Sequence, residues 1–248
     1  MPTPGTTDVV VLCAGLGKRL QPLTNTIPKA LVPVAGKPLL AYHLEAMREV
    51  GIRRIILVVG YLEEKIREFV GDGSRFGFEV HYVRQNPPRG TGDAVVAAAP
   101  KLKSDLFVVL YADIFFLRMK SVWNALFAGD APKIICAEVE DTSQFGRVES
   151  RHAPEGEILE SILEKDGKHR PGRVNAGLLL LPKTIIEILE GQDCTKRGEI
   201  ELPQAVEELS IHGTKVLVKE VKGWFDIGNL PALHSASQLA ATVGENEG

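Results

Sequence analysis

Residues 8–20 read DVVVLCAGLGKRL, an apolar run followed at once by a loop with two glycines and two cations. The run over residues 8–13 predicts a β-strand, because β-branched residues favour extended structure. Gly15 and Gly17 allow the backbone to approach a ligand closely, and the Lys-Arg pair after them places positive charge beside it. The stretch therefore predicts a strand that ends in a phosphate-binding loop.

Two familiar phosphate-binding motifs do not fit this loop. A dinucleotide fingerprint would have a third glycine at position 20, which Leu20 occupies. A P-loop would have four residues between its glycines and then Gly-Lys-Ser or Gly-Lys-Thr, and the loop meets neither condition. Taken alone, the loop is equally compatible with a turn that only links a strand to a helix.

The chain beyond this loop alternates apolar strand-like runs with longer amphipathic segments, as repeated β-α units do. Residues 106–111 are nearly all apolar, which is expected for a buried strand at the centre of a sheet. We expect an α/β fold with a mostly parallel central sheet covered by helices, and a ligand at the carboxyl ends of its strands. The other segments of this half cover residues 39–50, 54–59, 62–70, 78–83 and 93–99.

The second half is less regular and predicts a small lobe that returns to the sheet. Polar and glycine-containing turns separate its strand-like stretches, and residues 230–242 predict a closing helix. We expect a single domain over residues 1–248. The strand-like stretches cover residues 133–139, 146–150, 158–163, 174–181 and 215–221.

Composition narrows the class of protein. With 44% hydrophobic and 25% charged residues, the 248-residue chain can build an ordinary globular core. A formal net charge of -3 gives no general attraction to nucleic acid or an anionic membrane, so neither partner is expected. Three cysteines without a CxxC pair argue against a disulfide framework and structural zinc. Since no signal sequence or membrane-spanning apolar run is present, a cytoplasmic location is expected.

Two motifs near the amino terminus carry a family resemblance. GLGKRLQPLT at residues 15–24 is followed by PKALVPVAGKPLL at residues 28–40. Together they resemble the signature of the sugar-phosphate nucleotidyltransferases, also called NDP-sugar pyrophosphorylases, and further segments match in family order to about residue 240. The resemblance implies a Rossmann-like three-layer, GT-A-like fold. Residues 8–113 would form a nucleotide-binding half, and residues 114–242 a sugar-phosphate half with a small sugar-binding lobe.

The resemblance also implies a nucleotide site. Arg19 and Lys29 would contact the triphosphate. QNPPRGTGDA at residues 85–94 resembles the nucleotide loop of the family, in which Gln85 and Gly90 would read base edges. The expected nucleotide-binding residues are Ala14, Gly15, Gly17, Lys18, Arg19, Gln85, Gly90 and Thr91.

Two carboxylates far apart in the sequence are expected to share a magnesium ion. Asp113 follows the strand at residues 106–111, and a carboxylate at the carboxyl end of a buried strand is well placed to hold a hard cation. GWFDIG at residues 223–228 resembles the W-x-D-I-G motif of the family, which implies that Asp226 supplies the second ligand.

Three short segments between these acids resemble, in family order, the part that holds the sugar phosphate. The implied residues are Gly146, Glu164, Lys165 and Asn175. Glu164 and Asn175 can hydrogen-bond hydroxyl groups, and Lys165 offers a point charge for the phosphate. The expected catalytic residues are therefore Arg19, Lys29, Asp113 and Lys165.

The chain departs from the family pattern at three positions. Ala112 stands where a glycine usually precedes the metal-binding aspartate. Asp166 replaces the proline that usually follows the Glu-Lys pair, which leaves the path of that loop open. Asp93 replaces a residue that is often small in relatives, and the sequence assigns it no role.

The reaction that the resemblance implies joins a nucleoside triphosphate to a sugar 1-phosphate and releases pyrophosphate. Glucose 1-phosphate with dTTP or UTP is the first expectation, and mannose 1-phosphate with GTP is an alternative. A non-sugar acceptor such as phosphocholine or inositol phosphate stays open, as does a non-catalytic regulatory subunit that binds nucleotide sugar. A regulatory subunit would have damaged catalytic positions, whereas Arg19, Lys29, Asp113 and Asp226 are all present. No C-terminal β-helix domain is expected, and the sequence is compatible with a homo-oligomer.

Overall fold

A nine-stranded sheet forms the centre of the protein, in a computed structural model that describes residues 2–163, 167–195 and 198–246. The elements of the first half, in chain order, are β1 (Asp8–Leu12), β2 (Pro33–Val34), β3 (Lys37–Pro38), α1 (Leu39–Glu49), β4 (Arg54–Val59), α2 (Glu63–Val70), β5 (Glu79–Arg84), α3 (Thr91–Ala98), β6 (Leu106–Tyr111), β7 (Ile114–Phe116) and α4 (Met119–Phe127). The elements of the second half are β8 (Lys133–Val139), β9 (Arg147–Ala153), β10 (Gly156–Leu163), β11 (Gly172–Pro182), α5 (Ile185–Gly191), α6 (Leu202–Ile211), β12 (Leu217–Val221), β13 (Trp224–Asp226) and α7 (Leu230–Asn246).

The first half of the sheet is parallel, in the order β5-β4-β1-β6. Helices cover both faces of these strands: α1, α2 and α4 contribute to the core on one face, and α3, α5 and α6 contribute to the core on the other. Because both faces are covered, the inner strands carry continuous apolar runs, and residues 9–11 and 55–59 are fully buried. This half confirms the parallel β-α architecture that the alternating pattern predicts.

The second half continues the same sheet in the order β6-β11-β8-β12-β10-β9. β11 is antiparallel to both of its neighbours β6 and β8, and β10 is antiparallel to both β12 and β9. The prediction of a mostly parallel sheet is therefore wrong beyond β6, where the sheet is mixed. Short turns such as the one between β9 and β10 allow only antiparallel neighbours, because a parallel pair needs a crossover of about a dozen residues or more.

The small lobe expected in the second half is not a separate sheet, because its strands extend the central one. The pattern did identify β8 to β12, with ends that differ by up to three residues, and the start of the closing helix α7. It missed the short antiparallel pair β7 and β13, in which Asp226 lies opposite Ile114. In the part of the chain that the structure describes, no helix has the length and apolar character that a bilayer crossing requires.

Candidate active site

A cavity of about 610 Å³ opens at the carboxyl ends of β1, β5 and β6. Its position is the one expected for a ligand of an open α/β sheet, and its size lies within the usual range of roughly 300–1,000 Å³. Of the residues that the sequence singles out, those on its wall are Ala14, Gly15, Gly17, Lys18, Lys29, Gln85, Gly90, Thr91 and Asp113. The two halves of the expected nucleotide site are thus brought together around one cavity.

The glycine-rich loop packs directly against the segment that carries Lys29. Gly17 has a φ of 62°, and its carbonyl accepts a 2.8 Å hydrogen bond from the hydroxyl of Thr24. A β-carbon at Gly17 would lie 2.8 Å from Cγ2 of Thr24 and 3.3 Å from Cβ of Lys29. The first motif therefore needs glycine at this position so that the second motif can approach it, which gives a physical reason for their pairing.

The loop after β5 is held against the segment that precedes α6. The backbone N–H of Gly92 donates to the carbonyl of Ile200, and the N–H of Ile200 donates to the carbonyl of Arg89, both at 2.8 Å. Gly90 lies between these bonds with a φ of 97°, and a β-carbon there would lie 2.4 Å from the Ile200 carbonyl oxygen. These contacts fix the path of the loop along the cavity wall.

Asp113 and Asp226 converge on the same cation. The ammonium nitrogen of Lys29 is 2.5 Å from Oδ2 of Asp113 and 3.8 Å from Oδ1 of Asp226. The other oxygen of Asp226 is 3.7 Å from a guanidinium nitrogen of Arg19. Short antiparallel strands bring the acids together, because Ile227 donates a backbone hydrogen bond of 2.8 Å to the Asp113 carbonyl. Two formal positive and two formal negative charges therefore meet at one point.

The two carboxylates fit the donor set that magnesium prefers. Magnesium is usually bound through one or two protein carboxylates, with substrate phosphates and water completing its shell. Asp113 and Asp226 both lie within 3.8 Å of the Lys29 ammonium nitrogen, so their oxygens face a common cationic centre. Residues 2–163, 167–195 and 198–246 contain no group of three or more His, Cys, Asp or Glu side chains that could hold a metal ion.

A second cavity of about 200 Å³ adjoins the first, and Thr91, Tyr111, Asp113 and Glu201 line both. Of the expected site residues, Arg19, Gly146, Asn175 and Asp226 also line this second cavity. Arg19 therefore lies on this side and not on the wall of the larger cavity.

Gly146 and Asn175 are neighbours in the second cavity. The backbone N–H of Asn175 donates to the Gly146 carbonyl at 3.2 Å, next to a register shift in β11. The indole of Trp224 packs edge to face on Phe145 and donates to the Ala176 carbonyl at 3.0 Å. Glu164 and Lys165, the other two residues expected to hold the sugar phosphate, lie outside the described residues.

Tyr111 and Glu201 are wall residues that the sequence did not single out. Glu201 stands directly before α6, and Oε2 accepts a 3.3 Å hydrogen bond from the Thr91 hydroxyl. The same hydroxyl accepts a 3.0 Å hydrogen bond from the Leu202 N–H, so Thr91 links the end of the loop after β5 to the start of α6. The signal that could have found Glu201 is the acidic pair Glu199 and Glu201 just before an amphipathic helix, where orphan N–H groups favour an acceptor.

The nearby cysteine and histidine are unsuited to covalent chemistry. Burial raises the pKa of the Cys13 thiol far above its usual range, so the thiolate nucleophile is not available there. Burial also lowers the pKa of His43 to about 4, although its ring donates a 2.8 Å hydrogen bond to the Ile114 carbonyl. The side chains that face the cavities include the cations Lys29 and Arg19 and the carboxylates Asp113 and Asp226, which can align and neutralise charged reactants.

Comparisons with known proteins find relatives that match most of this chain. Residues 8–243 match the family described as nucleotidyl transferase. The chain is 35% identical over 225 residues to a bifunctional protein GlmU of Methanococcus maripaludis, and 33% identical over 239 residues to a glucose-1-phosphate thymidylyltransferase of Streptomyces griseus. These alignments cover 90% and 95% of this chain but 51% and 66% of the two relatives. The chain thus spans about half to two thirds of the length of these curated relatives.

Solved structures show the same fold. A UDP-glucose pyrophosphorylase complexed with UDP-glucose has a TM-score of 0.80 at 21% identity, covering 97% of this chain and 99% of that chain. HddC from Yersinia pseudotuberculosis complexed with GMP-PN has a TM-score of 0.70 at 28% identity, covering 94% of this chain and 98% of that chain.

Proposed function

The chain belongs to the nucleotidyl transferase family, and from this premise we propose that it transfers a nucleotidyl group from a nucleoside triphosphate to a sugar 1-phosphate. The observation that carries the proposal is the position of Lys29, Arg19, Asp113 and Asp226 where the two cavities adjoin. The larger cavity takes the nucleotide and the smaller one takes the sugar, so the reacting phosphates meet beside these four charges.

The proposed reaction forms one bond and breaks one bond. A phosphate oxygen of the sugar 1-phosphate attacks the α-phosphorus of the triphosphate, and the bond from that phosphorus to the β-phosphate oxygen breaks as pyrophosphate leaves. The second pKa of a phosphate monoester is about 6, so the attacking oxygen is largely ionised at neutral pH and no general base is needed.

Charge repulsion between two polyanions is then the main barrier. Lys29 and Arg19 offset the charge on the triphosphate and on the leaving pyrophosphate. Magnesium held by Asp113 and Asp226 would supply further charge neutralisation for the phosphate oxygens. Gly146 and Asn175 hold the acceptor in the smaller cavity, and Glu201 faces both reactants. Lys165 and Glu164 are proposed to complete the acceptor site, as the family resemblance implies.

Glucose 1-phosphate with dTTP or UTP is our first choice of substrates. It is supported by the thymidylyltransferase from Streptomyces griseus and by the pyrophosphorylase complexed with UDP-glucose, which resemble this chain. Mannose 1-phosphate with GTP is the second choice, because the resemblance extends to HddC, which was solved with a guanine nucleotide analogue. A regulatory subunit without activity is disfavoured, since the four charged residues are intact.

Pyrophosphate release tests the proposal. The purified protein is assayed with magnesium and each of five nucleoside triphosphates, in combination with glucose, mannose and N-acetylglucosamine 1-phosphates, and with phosphocholine. We expect release only when a triphosphate and a sugar 1-phosphate are both present, and none from the Asp113→Asn protein. Pyrophosphate release with a triphosphate and phosphocholine, but with none of the sugar 1-phosphates, would show that the acceptor is not a sugar. No pyrophosphate release from a protein that binds nucleotide would favour the regulatory alternative.

A further inference from the structure

The side-chain amide of Gln85 is held in one orientation. Gln85 follows β5, is only 6% exposed, and lines the larger cavity. Its Nε2 donates to the Gly90 carbonyl at 2.9 Å and to Oδ2 of Asp93 at 2.8 Å. Both partners are acceptors, so the NH₂ end must face them and the oxygen end must lie on the other side of the amide. Within the described residues, no hydrogen bond engages Oε1 of Gln85.

Asp93 divides its two oxygens between two partners. Oδ1 accepts from Nε and Nη2 of Arg89 at 3.2 and 2.8 Å, and Oδ2 accepts from Gln85. The side chain of Asp93 is 13% exposed, whereas that of Arg89 is 58% exposed. An acid in the first turn of a helix is often a solvated partner of the helix dipole. Asp93 is instead largely buried behind the cavity wall, with one oxygen committed to a residue on that wall.

We propose that Asp93 is a positioning residue that fixes Gln85 so that its Oε1 acceptor, and not its NH₂ donor, reads the base of the nucleotide. The inference rests on the proposed function in one respect, because it takes the larger cavity as the nucleotide site. A carboxylate cannot donate a hydrogen bond, so it excludes the flipped amide that a neighbouring serine or amide side chain would tolerate.

A fixed acceptor selects a class of base. Uracil and thymine present an N–H at N3, and guanine presents one at N1, whereas the same ring positions of cytosine and adenine are acceptors at neutral pH. An acceptor that faces another acceptor in a water-poor cavity leaves both groups unsatisfied, which is costly. Gln85 thus favours triphosphates of uracil, thymine and guanine over those of cytosine and adenine.

The wild-type protein provides the first test. Equilibrium dissociation constants are measured for UTP and N3-methyl-UTP, and for GTP and N1-methyl-GTP, without an acceptor sugar. We expect the preferred parent nucleotide to bind at least about 10-fold more tightly than its methylated analogue, because one buried hydrogen bond is lost. Equal binding of parent and analogue in both pairs overturns the inference, as does the absence of nucleotide binding.

The second test changes Asp93, which lies behind the cavity wall. For each variant we measure the ratio of kcat/KM for the preferred triphosphate to that for CTP. In Asp93→Ala this ratio should fall at least about 5-fold, because only the Gly90 carbonyl then holds the orientation of the Gln85 amide. Asp93→Asn should also lower the ratio, since the asparagine amide can donate to a turned Gln85 as well as accept from Nε2. The control is Arg89→Ala, which removes the ion pair of Asp93 but leaves its bond to Gln85, and it should keep the ratio.

A loss of activity without a change in the ratio would mean that Asp93 has only a structural role, and would overturn the proposal. The binding measurement separates this failure from a failure of the proposed function. A protein that releases no pyrophosphate with any acceptor, yet binds UTP at least about 10-fold better than N3-methyl-UTP, would refute the reaction and keep the role of Gln85. If Asp93→Ala does not fold, the wild-type comparison and Asp93→Asn still decide the outcome.

Discussion

The ammonium group of Lys29 lies 2.5 Å from a carboxylate oxygen of Asp113, although 84 residues separate the two in the chain. The side chain of Lys29 is 13% exposed, so this cation sits largely inside the cavity wall and is not a solvated surface charge. A phosphate group that enters the cavity therefore competes with Asp113 for Lys29, while a metal ion competes with Lys29 for Asp113. In the structure, the pair keeps both charges balanced.

Asp113→Asn should remove turnover far more than it weakens binding of the sugar phosphate. The change keeps the size of the side chain but removes one of two negative charges from the expected metal site. We expect pyrophosphate release to fall at least about 100-fold, as for the loss of a preorganised electrostatic group. Binding of the sugar 1-phosphate, measured by calorimetry, should change by less than about 3-fold. Turnover that persists at saturating magnesium would refute the assigned role.

Gly228→Ala should lower activity by crowding the charged cluster. A β-carbon at Gly228 would lie 2.8 Å from both Nη2 of Arg19 and Oδ2 of Asp226, so both side chains must move. A displacement of about 1 Å in a catalytic site can cost up to about 100-fold, and we expect kcat/KM to fall at least about 10-fold. Gly191→Ala is the matched control, because a β-carbon there meets nothing within 4 Å. Equal activities for the two variants would contradict this reading of the cluster.

Gly90→Ala should destabilise the protein more than Gly129→Ala. Both glycines have positive φ values, 97° and 79°, which strain an alanine, and Gly90 also has a ψ of 175°, a combination that is essentially restricted to glycine. Only at Gly90 does the new β-carbon meet backbone, 2.4 Å from the Ile200 carbonyl oxygen. We expect an additional loss of about 1–3 kcal/mol in the free energy of unfolding, measured in urea. An equal loss of unfolding free energy in the two variants would show that the loop moves away from the new β-carbon without destabilising the protein.

Acidification should destabilise the protein through His43. Burial lowers its pKa in the folded state to about 4, from an ordinary value of 6.5. Between these values the unfolded chain binds more protons than the folded one, so the stabilisation is complete above pH 6.5 and is lost as the pH falls towards 4. The free energy of unfolding should fall by about 2 kcal/mol between pH 7 and pH 5.

His43→Gln provides the comparison for this pH dependence. Glutamine can still donate to the Ile114 carbonyl but does not titrate. The unfolding free energy of the variant protein should therefore lack this drop between pH 7 and pH 5. Urea unfolding of both proteins at pH 7 and pH 5 makes the measurement. An equal drop in the two proteins would assign the pH dependence to other groups.

The parts of the fold that are regular over several residues could be predicted from the sequence. The strand bounds 54–59, 106–111 and 133–139 coincide with β4, β6 and β8, because long apolar runs between polar turns leave little choice. Asp113 and the glycine-rich loop could be placed at one sheet edge, since the carboxyl ends of parallel strands meet there. The roles of Glu164 and Lys165 in sugar binding stay predictions.

Other features depend on contacts that leave no local pattern. β7 and β13 are three residues each, too short to show a period, yet their pairing brings Asp226 to Asp113. Glu201 is next to Ile200, which bonds to the loop after β5 although more than one hundred residues separate them in the chain. Asp93 reads in the sequence as an ordinary acid at the start of a helix, and its partner Gln85 becomes evident only from the side-chain hydrogen bond.

Ile200 uses both of its backbone groups to hold the loop after β5, through Arg89 and Gly92, and the next residue, Glu201, lines both cavities. The loop therefore cannot shift to receive a base unless it breaks these two bonds or carries Glu201 with it. If the two reactants occupy the two cavities as proposed, a shift of the loop on binding the nucleotide would be transmitted through Ile200 to Glu201, which also lines the acceptor cavity.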